Sequence, residues 1–194
     1  MKQIKQIILG IIVLTMLGNS CTKPIEECTW TKEITNMNIG ICKMETQASY
    51  EDTYGSCIAL DSMDSCVYNL LKIGMSFEST YLTQSHCSSP KDSIVGKIED
   101  IIIICKNDYN ISYKKNDTIN NILNVIYTKP NGVNTTVPML LNNYLRGNPI
   151  CSNGISLFLT QTPDSTSLQS FKIIYKETDG TIYTDSTQVV YLEP

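Results

Sequence analysis

Seven apolar segments separated by polar turn-formers follow residue 27, and this rhythm constrains the chain to a β-rich fold. Residues 28–44 read as one long or broken strand, and 66–82 place Ile73, Met75 and Phe77 on one face by strict alternation. Ile98 to Cys105 contains four consecutive isoleucines, Ile101 to Ile104, the pattern of a strand covered on both faces. Segments 119–127, 155–162, 168–178 and 181–192 complete the series. A composition rich in Ile, Asn, Thr, Ser and Tyr and poor in Ala and Arg favours strands and polar turns. The expected fold is all-β: an antiparallel β-sandwich, immunoglobulin-like or related, of about seven strands. At most one short helix is expected, over 137–145, where Pro138 starts a turn and Gly147 stops it.

The last two segments carry the most specific local prediction. Asp179-Gly180 between them predicts a two-residue turn, in which both residues take positive φ. That register sets Glu177 against Ile182 and Lys176 against Tyr183. It turns Phe171, Ile173, Tyr175 and Ile182 inward and Lys172, Lys176 and Asp185 outward.

The N-terminus supplies an address. Lys2 and Lys5 precede an apolar run from Ile7 to Leu17, and Gly18-Asn19-Ser20-Cys21 follows, which predicts a signal peptide over 1–20. The run is shorter than the roughly 20 apolar residues a permanent spanning helix needs. Leu17 to Cys21 resembles the looser form of the bacterial lipobox, which implies lipid attachment to Cys21 and membrane association through it. Gly18 and Ser20 also suit an ordinary signal peptidase, which would leave Cys21 bare. Residues 21–27 then form a tether and 28–194 a single domain, long enough to bury a real core. Without the two leader lysines the net charge moves from -4 to about -6, with no basic run, so nucleic acid is not an expected partner.

Seven cysteines follow Cys21, and in an exported chain they read as disulfide partners. Cys57 and Cys66 bracket eight residues and are the expected local bridge. No Cys-x-x-Cys occurs and His86 is the single histidine, so neither a metal centre nor a cofactor is expected.

Taken together, several elements resemble small lipoproteins of unknown function from Bacteroidetes. They are the cysteine-terminated signal, the loop Tyr50-Glu51-Asp52-Thr53-Tyr54-Gly55, the segment Ile98 to Asn110, Lys115 to Asn120 leading into a strand, and the hairpin from Phe171 to Val189. The resemblance implies the outer membrane as compartment, on its periplasmic or surface face, and a sandwich, and it assigns no activity. Exported proteins of that phylum carry O-linked glycans at Asp followed by Ser or Thr and then a small or aliphatic residue. Five triplets fit, making Ser62, Ser93, Thr118, Ser165 and Ser186 candidate glycosylation sites. Ten aspartates should give roughly one such match by chance, although Asp-Ser and Asp-Thr are also ordinary turn pairs.

Hydrolytic chemistry needs a nucleophile with a base, or paired carboxylates in a cleft. His86 adjoins Cys87 on a Ser/Pro-rich stretch, where neighbouring side chains diverge, and Gly132, Gly147 and Gly154 are too isolated to cradle a phosphate. Among eleven tyrosines, Tyr109, Tyr113 and Tyr127 lie near one connection and form the candidate binding patch for a glycan or protein partner. The expected function is therefore a lipid-anchored envelope protein acting as a non-catalytic binding or structural module. The alternative is a small secreted hydrolase with a carboxylate-based site.

Overall fold

The computed structural model describes residues 29–45, 57–82, 91–94, 96–129, 135 and 137–194. The signal segment, Cys21, the tether, the loop 50–55 and His86 lie outside the described residues. In chain order the strands are β1 (Thr29–Met44), β2 (Cys57–Ala59), β3 (Ser65–Val67), β4 (Leu71–Tyr81), β5 (Lys91–Ile94), β6 (Ile98–Cys105) and β7 (Leu123–Tyr127). After β8 (Met139–Leu140) comes the helix α1 (Leu141–Arg146), followed by β9 (Gly154–Leu159), β10 (Ser167–Gln169), β11 (Phe171–Glu177), β12 (Ile182–Ser186) and β13 (Val190–Glu193). The fold is all-β and sandwich-like, with one short α-helix among the described residues and mostly antiparallel pairing.

Among the described residues thirteen strands stand where about seven were expected, because three apolar runs break and three short strands, β2, β5 and β8, lie outside the expected segments. Residues 66–82 divide at a 3-10 turn, Tyr68–Leu70, and 168–178 divide at Ser170. The C-terminal run divides at 187–189, and β13 leaves for a small sheet of order β10-β13-β3.

The large sheet has the order β2-β1-β4-β9-β7-β8, with β5 parallel on β1. Its long strand survives because of a bulge between Ile34 and Asn36. One extra residue reverses the side-chain parity, so Ile34 and the odd-numbered Met37 and Ile41 all reach the core. The opposing sheet is β12-β11-β6, and rings of Phe77 and Tyr175 meet across the gap with centroids 4.7 Å apart. Tyr183 Oη also donates to the carbonyl of Ile34 at 2.6 Å.

Ile73 and Met75 from one sheet and Ile101, Ile103 and Ile173 from the other are fully buried. Each such side chain contributes about 1.5–3 kcal/mol of transfer free energy. Ile102 and Ile104 are only half-buried, so β6 is covered on one face and partly shielded on the other. Its free edge is closed by residues 116–120. Asn120 receives the Ile103 N–H and donates to the Ile101 carbonyl, standing in for a neighbouring strand.

The final hairpin corrects the expected register. Gly180 N–H bonds to the Glu177 carbonyl and Glu177 N–H to the Thr181 carbonyl, so three residues form the loop. Gly180 alone takes a left-handed φ, +93°, while Asp179 keeps a negative φ and accepts the Thr181 N–H on its side chain. That is a type I turn with a glycine bulge, and the extra residue moves the pairing to Tyr175↔Tyr183 and Lys176↔Ile182. Tyr183 points inward as a result, and Ile182 points out, 58 % exposed.

Candidate functional site

The outer face of the large sheet carries a groove of about 370 Å³, at the lower end of the range for ligand pockets, about 300–1,000 Å³. Register explains it. Gly40 pairs with Gly74, Gly74 with Ser156, and Ser156 with Ile126, so a row of small residues crosses three strands before a bulky one closes it. The next row holds Asn38, Ser76 and Gly154, and the row on the other side holds Cys42, Lys72 and Phe158.

These glycines are not imposed by backbone conformation, because none of the three has positive φ. A Cβ at Gly40 would meet no described atom within 4 Å, and at Gly74 only the Gly40 carbonyl at 3.7 Å. Glycine inside a strand costs roughly 0.5–1 kcal/mol against alanine and often marks close approach of a ligand or another backbone. Lys72, Tyr127 and Thr128 line the groove, and partial burial holds the Lys72 ammonium below its usual pKa.

A second cluster is buried where the β11–β12 hairpin, α1 and the loop 147–153 meet. Alternation along β11 sends Phe171, Ile173, Tyr175 and then Glu177 inward, and Glu177 is 5 % exposed. Its carboxyl lies beside Cys151, whose N–H is tied to the Gly96 carbonyl. Tyr144 comes from α1 and stacks on Tyr127 with centroids 4.6 Å apart. Glu177 Oε1, Tyr175 Oη and Tyr144 Oη are buried and make no hydrogen bond of ordinary geometry. Desolvation pushes the Glu177 carboxyl up to about 7, with Asp179 adding to the effect. Burial also pushes the Cys151 thiol up to about 11 and raises both tyrosine hydroxyls.

Sequence reasoning did not single out Cys151 or Glu177 as a pair. The period-two pattern through Tyr175 already points Glu177 inward, but nothing local brings Cys151 to it. Asp179, the nearest acid on the hairpin, is exposed and held below the usual carboxylate range by the Thr181 N–H. The two carboxyls therefore flank a turn and do not face each other across a cleft.

The aromatic patch needs correction. Tyr109 is 2 % exposed and gives its hydroxyl proton to the Gln161 carbonyl, and Tyr113 is half-buried against the core. The Asn110 side chain accepts the N–H groups of Ser112 and Tyr113, folding the loop back and burying Tyr109 beneath it. Tyr127 sits at the far end of β7, in the inward row with Ile155, and its ring packs against the core and Tyr144, so the three tyrosines form no exposed patch.

The cysteine prediction is corrected as well. Cys57 pairs with Cys42, not with Cys66, because β2 lies antiparallel on β1 and brings their Cα atoms to 5.6 Å. Cys66 lies in β3, in a different sheet, and is free and buried, as are Cys105 and Cys151. Burial raises the Cys66 thiol to about 11 and Cys105 also upward, so these thiols behave as small hydrophobes. Among the described residues no three His, Cys, Asp or Glu side chains converge to hold a metal ion, and no helix is long and apolar enough to cross a membrane.

Of the glycosylation candidates, Ser62, Thr118 and Ser165 are exposed at turns or a single bridge. Ser186 is half-buried at the end of β12, and Ser93 falls in β5, its side chain outside the described set.

No protein-family model matches the chain, and no curated protein does. Among solved structures it is similar to a family 123 glycoside hydrolase from Clostridium perfringens, described for glycolipid glycan hydrolysis, at 12 % identity and a TM-score of 0.27. The match covers 81 % of this chain and 27 % of that enzyme, and at that TM-score it carries no argument.

Proposed function

We propose that this chain is a non-catalytic binding module of the bacterial cell envelope, held at the outer membrane by lipid on Cys21, with the glycine-floored groove as its binding seat. The observation that carries the reading is the row Gly40, Gly74 and Ser156, which leaves open a space the backbone does not require. Hydroxyls of Ser76, Ser156 and Thr128 and the Lys72 amine around a peptide floor suit a glycan, with a protein segment as the second choice. The described thiols and the Glu177 carboxyl point inward, which supports a module without turnover. Exposure of Ser62, Thr118 and Ser165 is compatible with glycans on the remaining surface.

The test fills the groove. Gly40→Leu and Gly74→Leu should abolish binding on a glycan array that the wild-type chain scores on, while leaving the thermal transition in place. Undiminished binding by both variants would remove the groove from the account. Separately, Cys21→Ser should move the chain from the membrane to the soluble fraction of its own cell, and unchanged fractionation would overturn the anchor.

A further inference from the structure

The buried cluster around Glu177 serves neither the groove nor the anchor. Glu177 Oε1, Tyr175 Oη and Tyr144 Oη make no hydrogen bond of ordinary geometry, and the Cys151 thiol, a weak partner, is the group that Glu177 and Tyr175 meet. The arrangement is costly, because an unmet buried group costs about 1–3 kcal/mol. Glycine thins the wall here: a Cβ on Gly96 would lie 3.0 Å from Glu177 Oε2 and 3.2 Å from Cys151 Sγ. The carboxyl and the thiol thus sit together under a residue that has no side chain to cover them.

The groups that act on Glu177 among the described residues are acidic or neutral. Asp179 lies on its own hairpin and Glu33 on β1, and both raise the cost of a charge at Glu177. The loop 147–153 presents the Cys151 thiol, β12 presents Tyr183, and Tyr175 and Tyr144 complete the shell. Lys97, just before β6, bonds to the hairpin through its backbone carbonyl, and its side chain is exposed. The groups that act on the Glu177 carboxyl are Asp179, the Cys151 thiol and Glu33.

We infer that Glu177 is a proton-operated latch: neutral, its carboxyl seals the seam between the hairpin and the Gly96–Cys151 crossing, and ionised, it loosens that seam and uncovers the Cys151 thiol. The chemistry is one proton leaving the carboxyl to solvent, with no bond made or broken elsewhere. Its direction follows from linkage. A carboxyl that is harder to ionise in the folded state than in the unfolded one favours folding fully at low pH, and that advantage is lost as pH rises through about 7.

Native-state alkylation of the full chain, with each cysteine quantified by peptide mass spectrometry, reads this directly. Cys66 and Cys105 are internal controls, because both are buried free thiols away from Glu177 and report thiolate chemistry and global unfolding in the same molecules. Between pH 5.5 and 8.5 the labelling of Cys151 should rise relative to both by on the order of tenfold or more, with its midpoint near 7. Glu177→Gln should flatten that ratio. A Cys151 signal that only parallels Cys66 and Cys105, or an unchanged rise in Glu177→Gln, would overturn the latch. Should Glu177→Gln fail to fold, the wild-type ratio alone decides.

Discussion

Gly96→Ala tests the seam at its tightest point. Gly96 has φ of +127°, a region that L side chains rarely enter, and holding alanine there costs about 1–3 kcal/mol. The new methyl would also crowd Glu177 Oε2 and Cys151 Sγ at 3.0 and 3.2 Å. Both are side-chain ends that can shift a few tenths of an ångström, so crowding adds about 1 kcal/mol, the low end for overpacking. The expected loss is about 2–4 kcal/mol. With a urea slope of about 2 kcal/mol per molar, the middle of the usual range, the unfolding midpoint should fall by roughly 1–2 M. Gly74→Ala is the matched control, since its φ is ordinary and its Cβ meets only the Gly40 carbonyl at 3.7 Å. It should stay within about 1 kcal/mol of wild type, on the stabilising side, because alanine narrows the unfolded ensemble. Equilibrium urea unfolding followed by tyrosine fluorescence measures both. Equal midpoints for Gly96→Ala and wild type would refute the placement of the seam.

Mapping of the unreduced protein by peptide mass spectrometry should find Cys42 joined to Cys57 and Cys66 unmodified, and the double replacement of Cys42 and Cys57 by Ser should cost about 3 kcal/mol, as expected for a loop of this length, 15 residues. A Cys57–Cys66 peptide would contradict the strand pairing. In the hairpin, Tyr183→Ala should cost about 3 kcal/mol, since it removes a ring packed on Tyr175 and a hydrogen bond to Ile34, whereas Ile182→Thr should change stability by less than about 0.5 kcal/mol. The reverse order in thermal melts would restore the two-residue turn.

The β class and the inward faces of β4 and β11 were legible because alternation is a property of a strand alone. Gly147 marked the end of the helix, and its N–H indeed closes the last turn on the Tyr144 carbonyl. The Asp179-Gly180 signal located the hairpin but not its register. Two- and three-residue loops share that dipeptide, and the Thr178 N–H is engaged by Lys97, 81 positions earlier in the chain.

Pairing across the fold was not legible at all. Cys57 is closer in sequence to Cys66 than to Cys42, yet β2 docks on β1 while β3 joins β13, so proximity along the chain misassigns the bridge. Tyr109 looked available on a polar stretch until Asn110 turned the loop over it. The groove exists because separately unremarkable glycines and a serine fall into register across three strands. The latch exists because a hairpin and a distant loop place a carboxyl and a thiol beneath Gly96. Sequence by itself determined which residues face in along regular strands such as β4 and β11, since that depends on steps of two along one strand, whereas the β1 bulge and the hairpin register, which turned Tyr183 in and Ile182 out, came from pairing. Which inward residues meet was decided only when non-local strand pairing brought distant segments together, and the chemistry of this protein resides in those meetings.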